Sequence, residues 1–270
     1  KSPSRTESTE NSSRDMSLAL HAFTATGVLV GMAALVAVLD GSARLAIIWL
    51  LVAQLIDGID GPLARRLLPE EATTKFDGYV LDLVIDFVTC VLVPAAFLWE
   101  FNMVNHDRSG MIAVAALLMF SSLWFSRTDQ QDSDSWFHGF PASWNMVIPT
   151  LWLLDSSHTV TLIVVACLSI LTMTNVQFAH PVRVVQWRAW NMAAISIWVF
   201  GVLFGTIWSP GIPAPLLALI FVGPSMVAAA TVVRHIEVSR AVWGMAHAAS
   251  AGALPAPSAI AELFKPITWF

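Results

Sequence analysis

Charge is what this chain has least of. Asp, Glu, Lys and Arg make up 12% of its 270 residues, about half the share of an ordinary soluble domain. Apolar residues make up 56%, and mean hydropathy is +0.68. That balance excludes a water-soluble enzyme of this length. Tyrosine is nearly missing, with one copy against 12 tryptophans; indoles favour the headgroup level of a bilayer. The two cysteines, Cys90 and Cys167, fall inside apolar runs, which argues against a structural disulfide. There is no basic face and no zinc-knuckle spacing, so nucleic acid is set aside as a partner.

What the chain does have is apolar runs long enough to cross about 30 Å of hydrocarbon. They lie near 17–39, 44–67, 78–99, 110–126, 143–154, 159–177, 189–208 and 213–234. The fifth is short, as a tilted or partly re-entrant helix would be. The fold this predicts is all-α: a polytopic membrane helical bundle of about eight transmembrane helices. Eight spans put both termini on one side. With the N-terminus in the cytoplasm, 12 of the 14 lysines and arginines lie inside. Only Arg44 and Arg108 lie outside, which favours that orientation. The Ser-rich residues 1–15 read as a disordered polar tail, 16–235 as the membrane domain, and 236–270 as an interfacial or poorly ordered tail.

Within this apolar chain the stretch LIDGIDGPLARRLL, residues 55–68, places two carboxylates where a membrane helix ends. A carboxylate in hydrocarbon costs at least ~2.5 kcal/mol, so something must offset it. Asp57 and Asp60 are three apart and share one helix face. Asp82 and Asp86, in FDGYVLDLVID, are four apart and share a face of the next helix. An antiparallel pair can point all four at one small volume. Four carboxylates repel unless cations sit among them. Mg²⁺ and Mn²⁺ are the natural occupants, and a pair of such ions suits transfer at phosphorus. A proton or cation pathway in a transporter is the competing reading. Gly58, Gly61, Ala64 and Gly78 either pack helices or let a ligand approach the backbone. Arg65 is within reach of a phosphate or serves as a cytoplasmic anchor. Asp77 reads as a helix N-cap.

Residues 57–86 follow the pattern D-x2-D-G-x2-A-R-x12-G-x3-D-x3-D. This resembles the signature of the CDP-alcohol phosphotransferases, with every fixed residue present. The spacer between Arg65 and Gly78 is longer than most of that family uses. The long spacer, WFHGFPASWN (136–145) and HPVRV (180–184) are similar to the bacterial phosphatidylcholine synthase branch. The resemblance implies transfer of the phosphatidyl group of CDP-diacylglycerol to choline, with release of CMP. It implies Asp57, Asp60, Asp82 and Asp86 as ligands of Mn²⁺ or Mg²⁺, with Asp86 also taking the alcohol proton. Gly61, Ala64 and Gly78 would lie against the nucleotide, and Arg65 near the diphosphate. A homodimer in the bacterial inner membrane, with its site facing the cytoplasm, is also implied.

A quaternary ammonium offers no N–H, so aromatic faces must recognise it. Trp136, Phe137, Phe140, Trp144 and Asn145 are the candidates, in a segment that is aromatic and acidic. Interface anchoring is the bland reading for the same aromatics. Arg183 is a candidate for the lipid phosphate. Another CDP-alcohol phosphotransferase, such as a phosphatidylserine synthase, is the second reading, and a cation transporter is the third. The transporter would need acidic residues near midplane on several helices, and the later spans contain none.

Overall fold

Inside a bilayer each backbone N–H and C=O must be paired within its own segment, so long apolar runs have to become helices. The computed structural model describes residues 5–67, 76–131, 135–180 and 183–250. In chain order its helices are α1 (Arg5–Leu39), α2 (Ala43–Leu67), α3 (Gly78–Asp86), α4 (Val93–Glu100) and α5 (Arg108–Phe125), then α6 (Trp144–Leu153), α7 (His158–Thr172), α8 (Arg188–Trp208) and α9 (Ala214–Ser250). A two-stranded antiparallel ribbon pairs β1 (Trp136–His138) with β2 (Gln177–Ala179). Among the described residues six helical segments are long and apolar enough to cross a membrane. Their outer faces carry exposed apolar side chains such as Leu29, Met32, Phe200 and Phe221. On a membrane helix that pattern meets acyl chains rather than water. The polytopic helical bundle is therefore as expected.

Particular elements differ from the sequence reading. Helical backbone begins at Arg5, inside the segment read as a disordered tail. Extending an existing helix adds a hydrogen bond per residue fixed, without a new nucleus. Residues 236–250 likewise continue α9 as helix, and 251–270 lie outside the described residues. The run at 78–99 is one helical span, but Phe87–Leu92 form a π-helical turn between α3 and α4. The Thr89 hydroxyl donates to the Ile85 carbonyl at 3.1 Å, and Pro94 follows. Proline has no N–H and its ring crowds the carbonyl four residues back, so a widened turn relieves both. The sixth run is shorter than read: α7 ends at Thr172, and the chain turns into β2.

The chain divides into two compact units. The first holds the described residues up to Leu118 and Ser143–Thr161. There α1 and α2 are joined by a tight turn in which Gly41 takes φ +71°. A Cβ on Gly27 would lie 2.8 Å from the Ile85 side chain, and one on Gly31 3.1 Å from Thr89. Small residues thus let α1 run close beside the third span, in the same direction. The second unit holds Met119–Ala142 and the described residues from Leu162 onward. In it α8 and α9 form a close hairpin in which Gly223 faces Trp198 and Gly201 faces Ile220. Arg127 ties the base of the ribbon, donating to the Asp129 carboxylate, the Thr174 carbonyl and Asn175 Oδ1.

Candidate active site

The first unit gathers the acidic groups. Asp77 caps α3, accepting from the N–H groups of Tyr79 and Val80 at 3.0 and 3.2 Å. That cap fixes where the helix starts, and Asp82 and Asp86 then follow one turn apart on one face. Asp57 comes from α2. One carboxylate oxygen from each of Asp57, Asp82 and Asp86 lies within 4.8 Å of the others. All three residues are half-buried. Three carboxylates so close repel one another when ionised, and a cation among them would relieve that repulsion. The all-oxygen donor set fits a hard divalent ion of the Mg²⁺ or Mn²⁺ type and does not suit a thiophilic metal.

Not every expected residue enters this picture. The side chains of Asp60, Ala64 and Arg65 lie outside the described residues, although α2 runs through all three. Gly61 is half-buried on α2 beside Pro62, a proline inside the helix. Gly58 faces open space. Gly78 is covered by a side chain that the sequence reading did not consider: a Cβ there would lie 2.8 Å from Cε1 of His21.

Asn145 belongs to the same unit and is buried at 2% exposure. Its Nδ2 donates to Oε1 of Gln54 at 2.6 Å. Gln54 lies three residues before Asp57 on one face of α2, so the carboxamide pair stands about 4.5 Å along the axis from the level of the triad. The Asn145 Oδ1 is buried with no hydrogen-bond partner among the described residues. Sequence reasoning missed Gln54. The signal was there: one amide inside an apolar run, one turn from an aspartate, needs a partner. Trp144 is fully buried beside Asn145.

The remaining candidates belong to the second unit. Trp136 is buried and lies under the Arg234 guanidinium, 5.0 Å from its ring centroid. Arg234 also donates to Oε1 of Gln177 at 2.9 Å. Phe137 stacks on His180 with centroids 5.3 Å apart. Phe140 meets Phe178 edge-on. Arg183 donates to Oε1 of Gln131 at 3.4 Å, and its backbone N–H donates to Nδ1 of His180. The GFP turn holds Gly139 at φ +77°, where a Cβ would collide with the Thr172 carbonyl oxygen. Glycine alone fits there.

A family model described as CDP-alcohol phosphatidyltransferase matches residues 19–177. Among curated proteins, the phosphatidylcholine synthase of Pseudomonas aeruginosa is 38% identical over 180 residues, 67% of this chain and 75% of its own. That of Mesorhizobium japonicum is 35% identical over 68% of this chain and 69% of its own. That of Agrobacterium fabrum is 35% identical over 66% and 74%. The matched region spans the carboxylate triad, the Gln54–Asn145 pair and the β1 segment. The chain belongs to the CDP-alcohol phosphatidyltransferase family.

Proposed function

We propose that the protein transfers the phosphatidyl group of CDP-diacylglycerol to choline. The single observation that carries this is the convergence of Asp57, Asp82 and Asp86 within 4.8 Å, in a chain whose curated relatives are named phosphatidylcholine synthases. The choline hydroxyl oxygen bonds to the β-phosphorus, the bond from that phosphorus to the bridging oxygen breaks, and CMP leaves. Asp86 takes the hydroxyl proton. Asp57, Asp82 and Asp86 would hold the divalent ions, two by the family resemblance and Mn²⁺ or Mg²⁺ by their chemistry, which would supply positive charge to the diphosphate and the leaving phosphate. Asp60 completes the ligand set, with Gly61, Ala64, Gly78 and Arg65 on the nucleotide side.

Asn145 supports the acceptor end of this reading, because its buried Oδ1 offers an acceptor about one helical turn from Asp57. Trp144 is the aromatic neighbour on the same helix. Trp136, Phe137 and Phe140 stay as choline candidates, and Arg183 as the candidate for the lipid phosphate. The concentration of cations on one set of loops supports a site facing the cytoplasm of a bacterial inner membrane. A homodimer belongs to the same proposal.

The test uses purified protein in detergent with CDP-diacylglycerol and Mn²⁺. Choline, serine, glycerol 3-phosphate and inositol phosphate are offered separately, with and without EDTA. The expected result is CMP release with choline alone, abolished by EDTA. Release with another alcohol would keep the metal site and remove choline. No release from folded protein with any acceptor would sink the transferase reading.

A further inference from the structure

The first span carries a histidine at the edge of the acidic site. Three pairings set its place: His21 against Gly78, Gly27 against Ile85, and Gly31 against Thr89. They advance together, so α1 and the third span are parallel and in step. Thr24, buried and midway between His21 and Gly27, then falls near the level of Asp82. His21 falls about one helical turn, some 6 Å, toward the helix start. It stands against Gly78, one of the residues that the family pattern gives to the nucleotide.

The imidazole is held there from two sides. The buried Ser17 hydroxyl lies 3.4 Å from Nε2, and the Phe76 ring meets it edge-on with centroids 6.4 Å apart. Its Cε1 lies so close to Gly78 that any Cβ would have to displace it. The residue is nevertheless half-buried rather than enclosed. A ring that only filled a gap between helices needs no polar atoms, and leucine would serve better in an apolar chain. A polar, oriented ring at the rim of a diphosphate site has a direct use. Its N–H can donate to a ribose or α-phosphate oxygen of the nucleotide, the part that CMP shares with the lipid donor.

We propose that His21 is a substrate-binding residue for the cytidine diphosphate half of the lipid donor, donating a hydrogen bond across the face of Gly78. This rests on the transferase reading above. It also gives the glycine at 78 a reason: a Cβ there would displace the imidazole.

The test is binding, independent of turnover: equilibrium dialysis of radiolabelled CMP against the purified full chain with Mn²⁺. The variants are His21→Ala, His21→Gln and His21→Phe, with Mn²⁺ affinity read separately by electron paramagnetic resonance. His21→Ala and His21→Phe should both weaken CMP by about tenfold, leaving Mn²⁺ affinity within about twofold, the effect of one lost hydrogen bond to a charged group. His21→Gln, which keeps an N–H donor, should recover part of the loss. In turnover the KM for CDP-diacylglycerol should rise while that for choline stays level. If His21→Phe binds CMP as the wild type does, the ring is only packing and the proposal fails. Unchanged affinity in His21→Ala would overturn it equally. A wild-type protein that binds Mn²⁺ but no CMP would instead overturn the nucleotide reading of the whole site, and the role of His21 with it.

Discussion

Asp57, Asp82 and Asp86 show how much single residues can disclose. The i, i+3 and i, i+4 spacings put paired carboxylates on helix faces, and hydrocarbon makes an unexplained carboxylate expensive. That is why the triad was legible before any coordinates. His21 was not, because a lone polar residue in an apolar run has a bland explanation and no spacing to set against it; Gln54 had its spacing to Asp57 but nothing in the sequence to name its partner. Their meaning lies in a tertiary neighbour: Gly78 for one and Asn145 for the other. The base role proposed for Asp86 can be separated from metal holding. Asp86→Asn keeps size and one coordinating oxygen but removes the proton acceptor. Turnover should fall by about 10²–10⁴-fold, the usual worth of a positioned base, while CDP-diacylglycerol binding and Mn²⁺ affinity are largely kept. Asp57→Asn should lose Mn²⁺ affinity as well. If the two variants lose metal and donor binding equally, Asp86 is a ligand and the base lies elsewhere.

At the scale of elements, long spans are readable because hydropathy sums over some twenty residues. The π-helical turn and the β1–β2 ribbon are not. Three-residue strands carry no measurable period, and the turn at Phe87–Leu92 arises from Thr89 and Pro94 acting together. The ribbon depends on Arg127, which serves three acceptors at 2.9–3.2 Å. Asp129 is mostly exposed at 62%, whereas Arg127 is at 16%. The ion pair by itself therefore contributes little, and the bonds to Thr174 and Asn175 contribute more. Asp129→Ala should cost under ~1 kcal/mol and Arg127→Ala ~2 kcal/mol, read from thermal unfolding followed by tryptophan fluorescence. The hydrogen bonds from Arg127 hold the Asp129 carboxyl down at about 2. A depressed carboxyl stabilises above its ordinary value near ~3.9 and loses that contribution as pH falls through its folded value. The difference between wild type and Asp129→Ala should thus be flat from about pH 8 to 5, and shrink only below ~4. Equal losses from both substitutions would assign the ribbon's stability to the ion pair instead.

For the whole molecule, the unresolved matter in the sequence was the short fifth run. At 10 residues, α6 is about 15 Å long, half a bilayer's hydrocarbon. A re-entrant helix pair and a true crossing give the same parity for both termini, so counting charges cannot separate them. Contacts within the first unit do. The start of α6 is fixed at Gln54, well inside α2, through Asn145. Its other end reaches the far end of α2: Trp152 lines a cavity with Gly41, Ser42, Ala43, Arg44 and Leu45. Just beyond, Nδ1 of His158 is hydrogen-bonded to Oδ1 of Asn105, in the turn that follows α4. Under the orientation favoured by the cations, Gly41 to Arg44 and Asn105 are outside, so the turn at Asp155–Ser157 is outside too. On this account α6 is the outer part of a crossing, and that is how Asn145 comes to the depth of the carboxylates. Alkaline phosphatase, active only outside the cytoplasm, tests this when fused after Ser42, Arg127, Ser156 or Ser209. Fusions after Ser42, Ser156 and Ser209 should be active, and the fusion after Arg127 inactive. Activity after Ser42 with none after Ser156 would make α6 and α7 re-entrant. The opposite pattern at all four sites would invert the protein and place the aspartates on the wrong face for a cytoplasmic nucleotide.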